Sequence, residues 1–266
     1  MPSSAPASAP LADVGTAPAT PAAAVTVTVA QPVCAAPGRP DTLAVNAGRH
    51  AAAVREAGTR LVVFPELSLT GYDLTAPAVD PADARLAPLV EACGATGALA
   101  LVGAPVAEAD GRESIATLAV TGGGARVVYR KMRLHGPELD RFSPGERPVV
   151  LELDGLRLGL AVCADAADPA HAEETAALGI DAYVASTLYG PGPAQAERLA
   201  GHLRERTGAH GVWGVLSTSA GASGEFAETS GRSGVWAPDG TVVGQLGAEP
   251  GGLLWVEIPG ARERLW

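Results

Sequence analysis

The chain has 266 residues, a formal net charge of -10 and a pI near 5.0, and 47% of its residues are hydrophobic. This apolar content is enough for a large buried core, so we expect a folded globular protein. The acidic charge argues against nucleic acid or an anionic membrane as a partner, because clustered Lys and Arg bind both. No apolar run approaches the roughly 18 residues of a membrane span.

Residues 1–24 are almost entirely Ala, Pro, Ser and Thr, with one charged side chain. Such a segment has too little apolar area to offset the entropy of ordering, so we predict a disordered tail followed by a single domain over 25–266. The tail has neither the basic region nor the apolar core of a signal peptide. Three cysteines without a CxxC spacing favour a reducing compartment, and we expect a cytoplasmic protein.

From Val25 onward the hydrophobic pattern alternates between strands and helices. Strands are predicted at 25–31, 60–66, 98–106, 181–186 and 212–218, helices at 46–58, 81–96, 170–179 and 193–208, and hairpins at 115–131, 148–163 and 234–246. Because many strand pairs are hairpins while others are joined by helices, we expect an α/β fold of mixed sheets with helices on the outer faces. Neither a linker nor a repeat divides the domain.

Cys163 follows the apolar strand LRLGLAV and precedes the polar, turn-forming segment ADAADP. A nucleophile requires this placement, because the strand holds the side chain rigidly while the strand end exposes it. The alternative is a small buried residue, since cysteine is among the most buried types. That alternative suits Cys34 and Cys93 better than Cys163.

Two further strand ends carry a charged side chain. Glu66 ends RLVVFPE, where partial desolvation would raise its pKa and make it a better base. A solvated loop charge fits this segment equally well.

Lys131, the only lysine among 19 basic residues, ends VVYRK. A compact ammonium suits an oxyanion better than a planar guanidinium. The alternative, an edge lysine that prevents aggregation, would be served equally by arginine.

Glu66, Lys131 and Cys163, each at a strand end and in this order, resemble the triad of the nitrilase or carbon-nitrogen hydrolase superfamily. The resemblance is carried by FPELSLTGY, YRKMRL and GLAVCAD, and it extends from Val25 to about Ile258. It implies a four-layer α-β-β-α sandwich of two mixed sheets. It also implies catalysis through a cysteine thioester without a metal or an organic cofactor, and a homodimer or higher homo-oligomer.

The segment ELDRFSPG resembles the place in this family where a second glutamate precedes an aromatic residue and a Pro-Gly pair. The resemblance implies that Glu138 hydrogen-bonds to Lys131 and positions the substrate. The backbone N–H of Ala164, next to the nucleophile, is the expected second donor to the oxyanion. Tyr72 and Thr187 are further candidates for substrate binding.

Positions 164–167 after the cysteine read ADAA, whereas true nitrilases usually have Trp-Glu there, so the resemblance favours an amide-type substrate. We expect a hydrolase of small amides or N-carbamoyl compounds. Two alternatives stay open: an acyltransferase that uses the same thioester, and a non-catalytic binding member of the fold.

The five histidines show no metal-ligand spacing, and His135 is expected to be a loop residue.

Overall fold

Two mixed six-stranded sheets form the centre of the protein in the computed structural model, which describes residues 24–35, 39 and 41–260. The predicted tail, apart from Ala24, and the chain end 261–266 lie outside the described residues. The strands are β1 (Val25–Gln31), β2 (Leu61–Val63), β3 (Leu99–Ala107), β4 (Glu113–Thr121), β5 (Gly124–Arg130), β6 (Val150–Leu153), β7 (Leu156–Val162), β8 (Ala182–Thr187), β9 (Trp213–Thr218), β10 (Gly234–Trp236), β11 (Val242–Gln245) and β12 (Gly252–Ile258). The helices are α1 (Thr42–Ala57), α2 (Ala87–Thr96), α3 (Ala164–Ala167), α4 (Pro169–Ala177) and α5 (Pro193–His210), with 3-10 turns at Ala84–Leu86 and Gly136–Asp140.

The two sheets have matching strand arrangements. Their orders are β12-β1-β2-β3-β4-β5 and β11-β10-β9-β8-β7-β6. In the first sheet β1, β2 and β3 are parallel and the outer pairings are antiparallel; in the second, β7, β8 and β9 are parallel. Both sheets are therefore mixed, as the sequence predicts, because helical crossovers join the central strands while hairpins build the edges.

Three apolar clusters define the layers. The largest lies between the sheets, and it includes Leu61 and Val63 of β2 and Leu158 of β7. The intervening Val62 points the other way, into a cluster shared with α1 and α2, because successive side chains of a strand face opposite sides. A third cluster joins the outer face of the second sheet to α5 through Leu203. The predicted four-layer α-β-β-α sandwich is confirmed.

The boundaries of several elements differ from the predictions. The first helix begins at Thr42, four residues earlier than predicted, because Leu43 joins the buried positions that continue at Ala47 and Val54. The strand predicted over 60–66 ends at Val63, since the chain turns there to deliver Glu66. Among the described residues, none of the helices combines the length and apolar character that a membrane crossing requires.

The sequence analysis predicts no strand after 246, but the structure contains β12. This strand pairs antiparallel with β1 over its whole length and forms the edge of the first sheet. Val256 and Ile258 face the core, whereas Trp255 and Glu257 are exposed. The alternation of buried and exposed residues in β12 is short and follows a glycine-rich segment. Its partner strand, β1, is distant in the sequence, so the local pattern gives little signal of a strand.

We expect Ile258→Ala to lower the free energy of unfolding by about 3 kcal/mol, because it leaves a cavity in the core between the sheets. Chemical denaturation measures this change. Glu257→Ala on the same strand is the matched control, since its side chain is exposed, and it should change the stability by less than about 0.5 kcal/mol. Equal small effects of both variants would contradict the assignment of β12 to the folded core.

Candidate active site

Three strand ends bring the candidate catalytic side chains together. β5 runs in the same direction as β2, because the antiparallel β4 lies between β5 and β3. Glu66 and Lys131 therefore emerge at the same end of the first sheet, and Cys163 follows β7 in the facing sheet. Nζ of Lys131 donates to Oε1 of Glu66 at 2.7 Å, and both charged groups are near enough to the Cys163 thiol to act on its pKa.

Glu66 lies in a tight turn that depends on Gly103 of β3. The turn gives Leu67 a positive φ of 49°, and it packs so closely on β3 that a Cβ at Gly103 would lie 2.2 Å from the Leu67 nitrogen. The N–H of Gly103 donates to Oγ of Ser68 and its carbonyl accepts from the N–H of Leu69. A glycine in the middle of an otherwise apolar strand thus sets the position of the carboxylate.

Lys131 is fully buried and forms ion pairs with two carboxylates. Nζ lies 2.7 Å from Oε1 of Glu66 and 2.6 Å from Oε1 of Glu138. Its backbone is fixed on both sides, since its N–H donates to the carbonyl of Ile115 and its carbonyl accepts from the N–H of Gly145. The Pro-Gly pair after the second glutamate therefore holds the lysine in place through its backbone.

Glu138 is fully buried in a 3-10 turn, and both of its carboxylate oxygens are engaged. Oε1 accepts hydrogen bonds from Lys131 and from the hydroxyl of Tyr72, at 2.6 and 2.5 Å. Oε2 accepts the backbone N–H of His135 at 3.1 Å. The carboxylate thus holds the lysine, the tyrosine and its own turn in one arrangement.

Cys163 occupies a strained turn between β7 and the short α3. Its φ of 48° and ψ of -100° are unusual for a residue with a side chain. Its N–H donates to the carbonyl of Ser186, and its thiol donates to the carbonyl of Leu188 at 3.4 Å. Strain of this kind costs about 1–3 kcal/mol and persists where the surrounding structure enforces it, often at functional sites.

Asp165, two residues after the cysteine, connects this turn to the segment that follows Lys131. Its Oδ1 accepts the N–H groups of Met132 and Arg133, and its Oδ2 accepts the N–H of Val162 and the hydroxyl of Tyr129. The carboxylate is fully buried. Four donors stabilise its charge, and the same bonds fix the distance between Cys163 and Lys131.

A second layer of polar groups lies behind Asp165. The Tyr129 hydroxyl donates to Asp165, so it accepts a hydrogen from Nε2 of His171 at 2.8 Å. Nδ1 of the same ring then accepts from the hydroxyl of Tyr183 at 2.8 Å. Burial lowers the pKa of His171, so the ring is neutral with its proton on Nε2, and the Tyr183 hydroxyl, which also lies 3.4 Å from the carbonyl of Asp165, is the donor to Nδ1.

The cysteine opens into a cavity of about 390 Å³, which we call the Cys163 cavity. This volume lies in the range of small-molecule sites. Tyr72 and Phe226 form one wall, with their rings edge to face at 5.4 Å. The complete lining is Tyr72, His135, Cys163, Ala164, Ala167, Leu188, Tyr189, Gly190, Gln195, Arg198 and Phe226.

Burial and charge set the protonation of the three candidates. Burial raises the pKa of Glu66 to about 7, although the ammonium of Lys131 opposes this rise. Burial and the Glu66 charge raise the pKa of Cys163, so the resting group is the thiol. Burial lowers the pKa of Lys131, but the neighbouring Glu66, Cys163 and Glu138 outweigh it, and the net pKa is raised. The lysine is therefore an ammonium at neutral pH.

The remaining predicted site residues fall into two groups. Tyr72 and Ala164 line the Cys163 cavity, whereas Thr187 is fully buried at the end of β8, outside the lining, and its hydroxyl has no partner among the described residues. His135 lies in the loop just before the 3-10 turn, as expected, and it also lines the cavity. Within the described part of the chain, no three His, Cys, Asp or Glu side chains form a metal-ligand cluster.

The sequence analysis did not identify Gly103 or Asp165 as important for the site. Both act through the backbone of a distant segment, so neither has a local motif of its own. For Gly103 the only signal is a glycine inside an apolar strand, which often marks a close approach of another backbone. For Asp165 the only signal is an acid two residues after a candidate nucleophile.

Comparison with known proteins identifies the family. The model of the carbon-nitrogen hydrolase family matches residues 26–266, so the chain belongs to this family. The class of protein that the sequence predicts is thereby confirmed.

Individual relatives agree with this class. A Pseudomonas protegens hydrolase is 34% identical over 164 residues, 57% of this chain and 56% of that protein. An (R)-stereoselective amidase of a Pseudomonas species is 30% identical over 164 residues, 58% of this chain and 60% of that protein. The chain thus spans somewhat over half the length of these two relatives.

A solved structure extends the similarity over most of the fold. The amidase of Nesterenkonia sp. AN1 in complex with butyramide has a TM-score of 0.75 and 28% identity, with 88% of this chain and 91% of that chain covered. Another structure of the same amidase shows covalent addition of the acetamide moiety of fluoroacetamide at its active-site cysteine, with a TM-score of 0.76 and 27% identity over 92% of this chain and 94% of that chain.

We expect Gly103→Ala to reduce kcat/KM by at least about tenfold and to destabilise the fold by about 2 kcal/mol, because the new Cβ displaces the turn that carries Glu66. Enzyme kinetics and chemical denaturation measure the two effects. Gly48→Ala in α1 is the matched control, since a Cβ there meets nothing within 4 Å, and it should be neutral or slightly stabilising. Wild-type activity of Gly103→Ala would show that the close packing does not position the carboxylate.

Proposed function

We propose that this protein hydrolyses a carbon-nitrogen bond of a small amide or N-carbamoyl compound through a thioester on Cys163. Glu66 is the general base and acid, and Lys131 stabilises the oxyanion. Glu138 and Tyr72 hold the lysine and the substrate in position. The family supports the reaction class, and the arrangement of the buried charges supports these roles.

One observation carries the assignment of the base. The site contains two buried carboxylates on one ammonium, but only Glu66 has a free oxygen: its Oε2 is buried and has no hydrogen-bond partner among the described residues. Both oxygens of Glu138 already accept hydrogen bonds. The Cys163 thiol is near enough to favour the ionised form of Glu66. Glu66 is thus the carboxylate that can take the thiol proton.

In the first half-reaction Glu66 removes the proton of the Cys163 thiol as the sulfur attacks the substrate carbonyl, since the thiolate is the reactive form. A carbon-sulfur bond forms and the carbonyl oxygen gains negative charge. Lys131 carries three N–H donors, and two of them are used by Glu66 and Glu138. The third N–H is left for the oxyanion, beside the backbone N–H of Ala164.

The tetrahedral intermediate then loses its amine. Glu66 returns the proton to the leaving nitrogen, the carbon-nitrogen bond breaks, and a thioester remains on Cys163. In the second half-reaction Glu66 takes a proton from water, which attacks the thioester. The acid leaves and the thiol recovers the proton, so no external oxidant, reductant or metal is needed.

The alternatives from the sequence differ in what they require of this site. Acyl transfer uses the same residues and differs only in the acceptor, so the dependence of turnover on an added amine separates it from hydrolysis. A non-catalytic binding role does not require a buried carboxylate with a free oxygen beside a cysteine. A homo-oligomeric state, a cytoplasmic location and substrate binding by Thr187 remain predictions from the sequence.

Rapid quenching and intact mass spectrometry test the nucleophile. After exposure to butyramide we expect the wild type to gain the mass of the butanoyl group, because the thioester is covalent, and Cys163→Ala to gain nothing. Cys34→Ala is the matched control, since Cys34 is the most accessible of the three cysteines, and it should behave like the wild type. Equal adducts on the wild type and on Cys163→Ala would refute the assignment.

The pH dependence of kcat/KM tests the base. Glu66 must be ionised to accept the thiol proton, and burial raises its pKa to about 7. The rate should therefore rise with pH up to an inflection near 7, and fall about tenfold for each pH unit below it. Steady-state kinetics between pH 5 and 9 measure the profile.

His135 is the histidine in the lining of the same cavity. His135→Gln is therefore the control: the inflection should persist in this variant if Glu66 is its source. An inflection that disappears in His135→Gln, or a flat profile in the wild type, would contradict the role of Glu66.

A further inference from the structure

The wall of the Cys163 cavity carries a charge opposite to that of the whole protein. The chain has 29 acidic and 19 basic residues, yet the described residues that line the cavity include Arg198 and His135 and neither Asp nor Glu. The proposed mechanism uses neither of these two side chains. An arginine in the wall of this cavity, on a strongly acidic protein, therefore needs its own explanation.

Arg198 lies in the second turn of α5 and forms no hydrogen bond or ion pair within the described residues. The adjacent Glu197 points to Arg204 instead, with 3.6 Å between the charged atoms. The groups that feel the charge of Arg198 are Tyr189 and His202, and both are neutral: burial raises the pKa of Tyr189 to about 12 and lowers the pKa of His202. The guanidinium is thus free to bind a ligand.

The negative and positive groups lie at different places around the cavity. Glu66 and Glu138 are buried behind Cys163 and Tyr72, where they are held by Lys131. Arg198 enters the cavity from α5, and Tyr189 lies within electrostatic range of both Arg198 and Cys163. One small molecule can therefore have its carbonyl at the cysteine and an anionic group at Arg198, away from the two carboxylates.

We propose that the substrate carries a carboxylate, which Arg198 binds while the scissile carbonyl faces Cys163. A guanidinium matches the planar geometry of a carboxylate with two parallel hydrogen bonds. Monoamides of dicarboxylic acids and N-carbamoyl amino acids share this chemistry. This inference rests on the proposed function, and it narrows the substrate class from amides in general to amides with an anionic end.

Matched substrate pairs test the proposal. Succinamate, glutaramate and adipamate differ from their diamides only in having a carboxylate where the diamide has a second carboxamide. For at least one chain length, the wild type should hydrolyse the monoamide with a kcat/KM about 10- to 100-fold above that of the diamide, the range expected for hydrogen bonds to a charged group. A preference within about twofold for all three pairs would overturn the proposal.

Two variants of α5 locate the preference. Arg198→Gln should reduce the ratio of the two kcat/KM values to near one, because glutamine keeps a polar side chain but removes the charge. Arg204→Gln is the matched control, since Arg204 is exposed on the same helix and lies outside the cavity lining, and it should leave the ratio unchanged. A ratio that is the same in Arg198→Gln and in the wild type would overturn the role of Arg198.

Calorimetry distinguishes a failure of this proposal from a failure of the proposed function. Cys163→Ala should bind glutaramate more tightly than glutaramide, and the additional Arg198→Gln should abolish the difference. If the wild type turns over neither compound and forms no adduct, the hydrolytic assignment fails, yet this binding difference would still support the carboxylate site. Equal or absent binding of the two compounds to Cys163→Ala would overturn it.

Discussion

The buried ammonium of Lys131 is the interaction on which the site depends. A charge removed from water is tolerated only when opposite charges and hydrogen bonds surround it, and Lys131 has Glu66 at 2.7 Å and Glu138 at 2.6 Å. Several features of the fold serve this arrangement. Gly103 allows the turn that carries Glu66 to pack closely on β3. Gly145 lies so close to Arg130, at the end of β5, that a side chain there would clash. The 3-10 turn presents Glu138 to the lysine.

The arrangement contains an imbalance that gives the two carboxylates different properties. One ammonium cannot neutralise two ionised acids, so burial disfavours the ionised form of at least one of them. Glu138 is stabilised by Lys131, by Tyr72 and by the backbone N–H of His135, whereas Glu66 keeps an oxygen without a partner. Burial, together with the charge of Glu138, raises the pKa of Glu66 to about 7 against the opposing ammonium of Lys131. In the proposed mechanism, two residues of the same type thus supply a holding group and a base.

Much of the fold was predictable because its signals are local. Strands such as Val25–Gln31 and Ala182–Thr187 are short apolar runs bounded by turn residues, and their positions agree with the predictions. β12 was missed because its edge pairing with β1 joins the two ends of the chain. The early start of α1 was missed because the burial of Leu43 is decided by what packs on it rather than by its own segment.

The sequence by itself determined the family and the identity of the candidate residues, because a strand end followed by turn residues is a local pattern, and a single lysine among arginines is a matter of composition. Only the tertiary structure decided which carboxylate has a free oxygen, that Asp165 connects the cysteine turn to the segment after Lys131, and that Arg198 faces the cavity unpaired. The reason is physical: hydrogen-bond partners and burial depend on segments that are distant in the chain, and these determine protonation and substrate contacts.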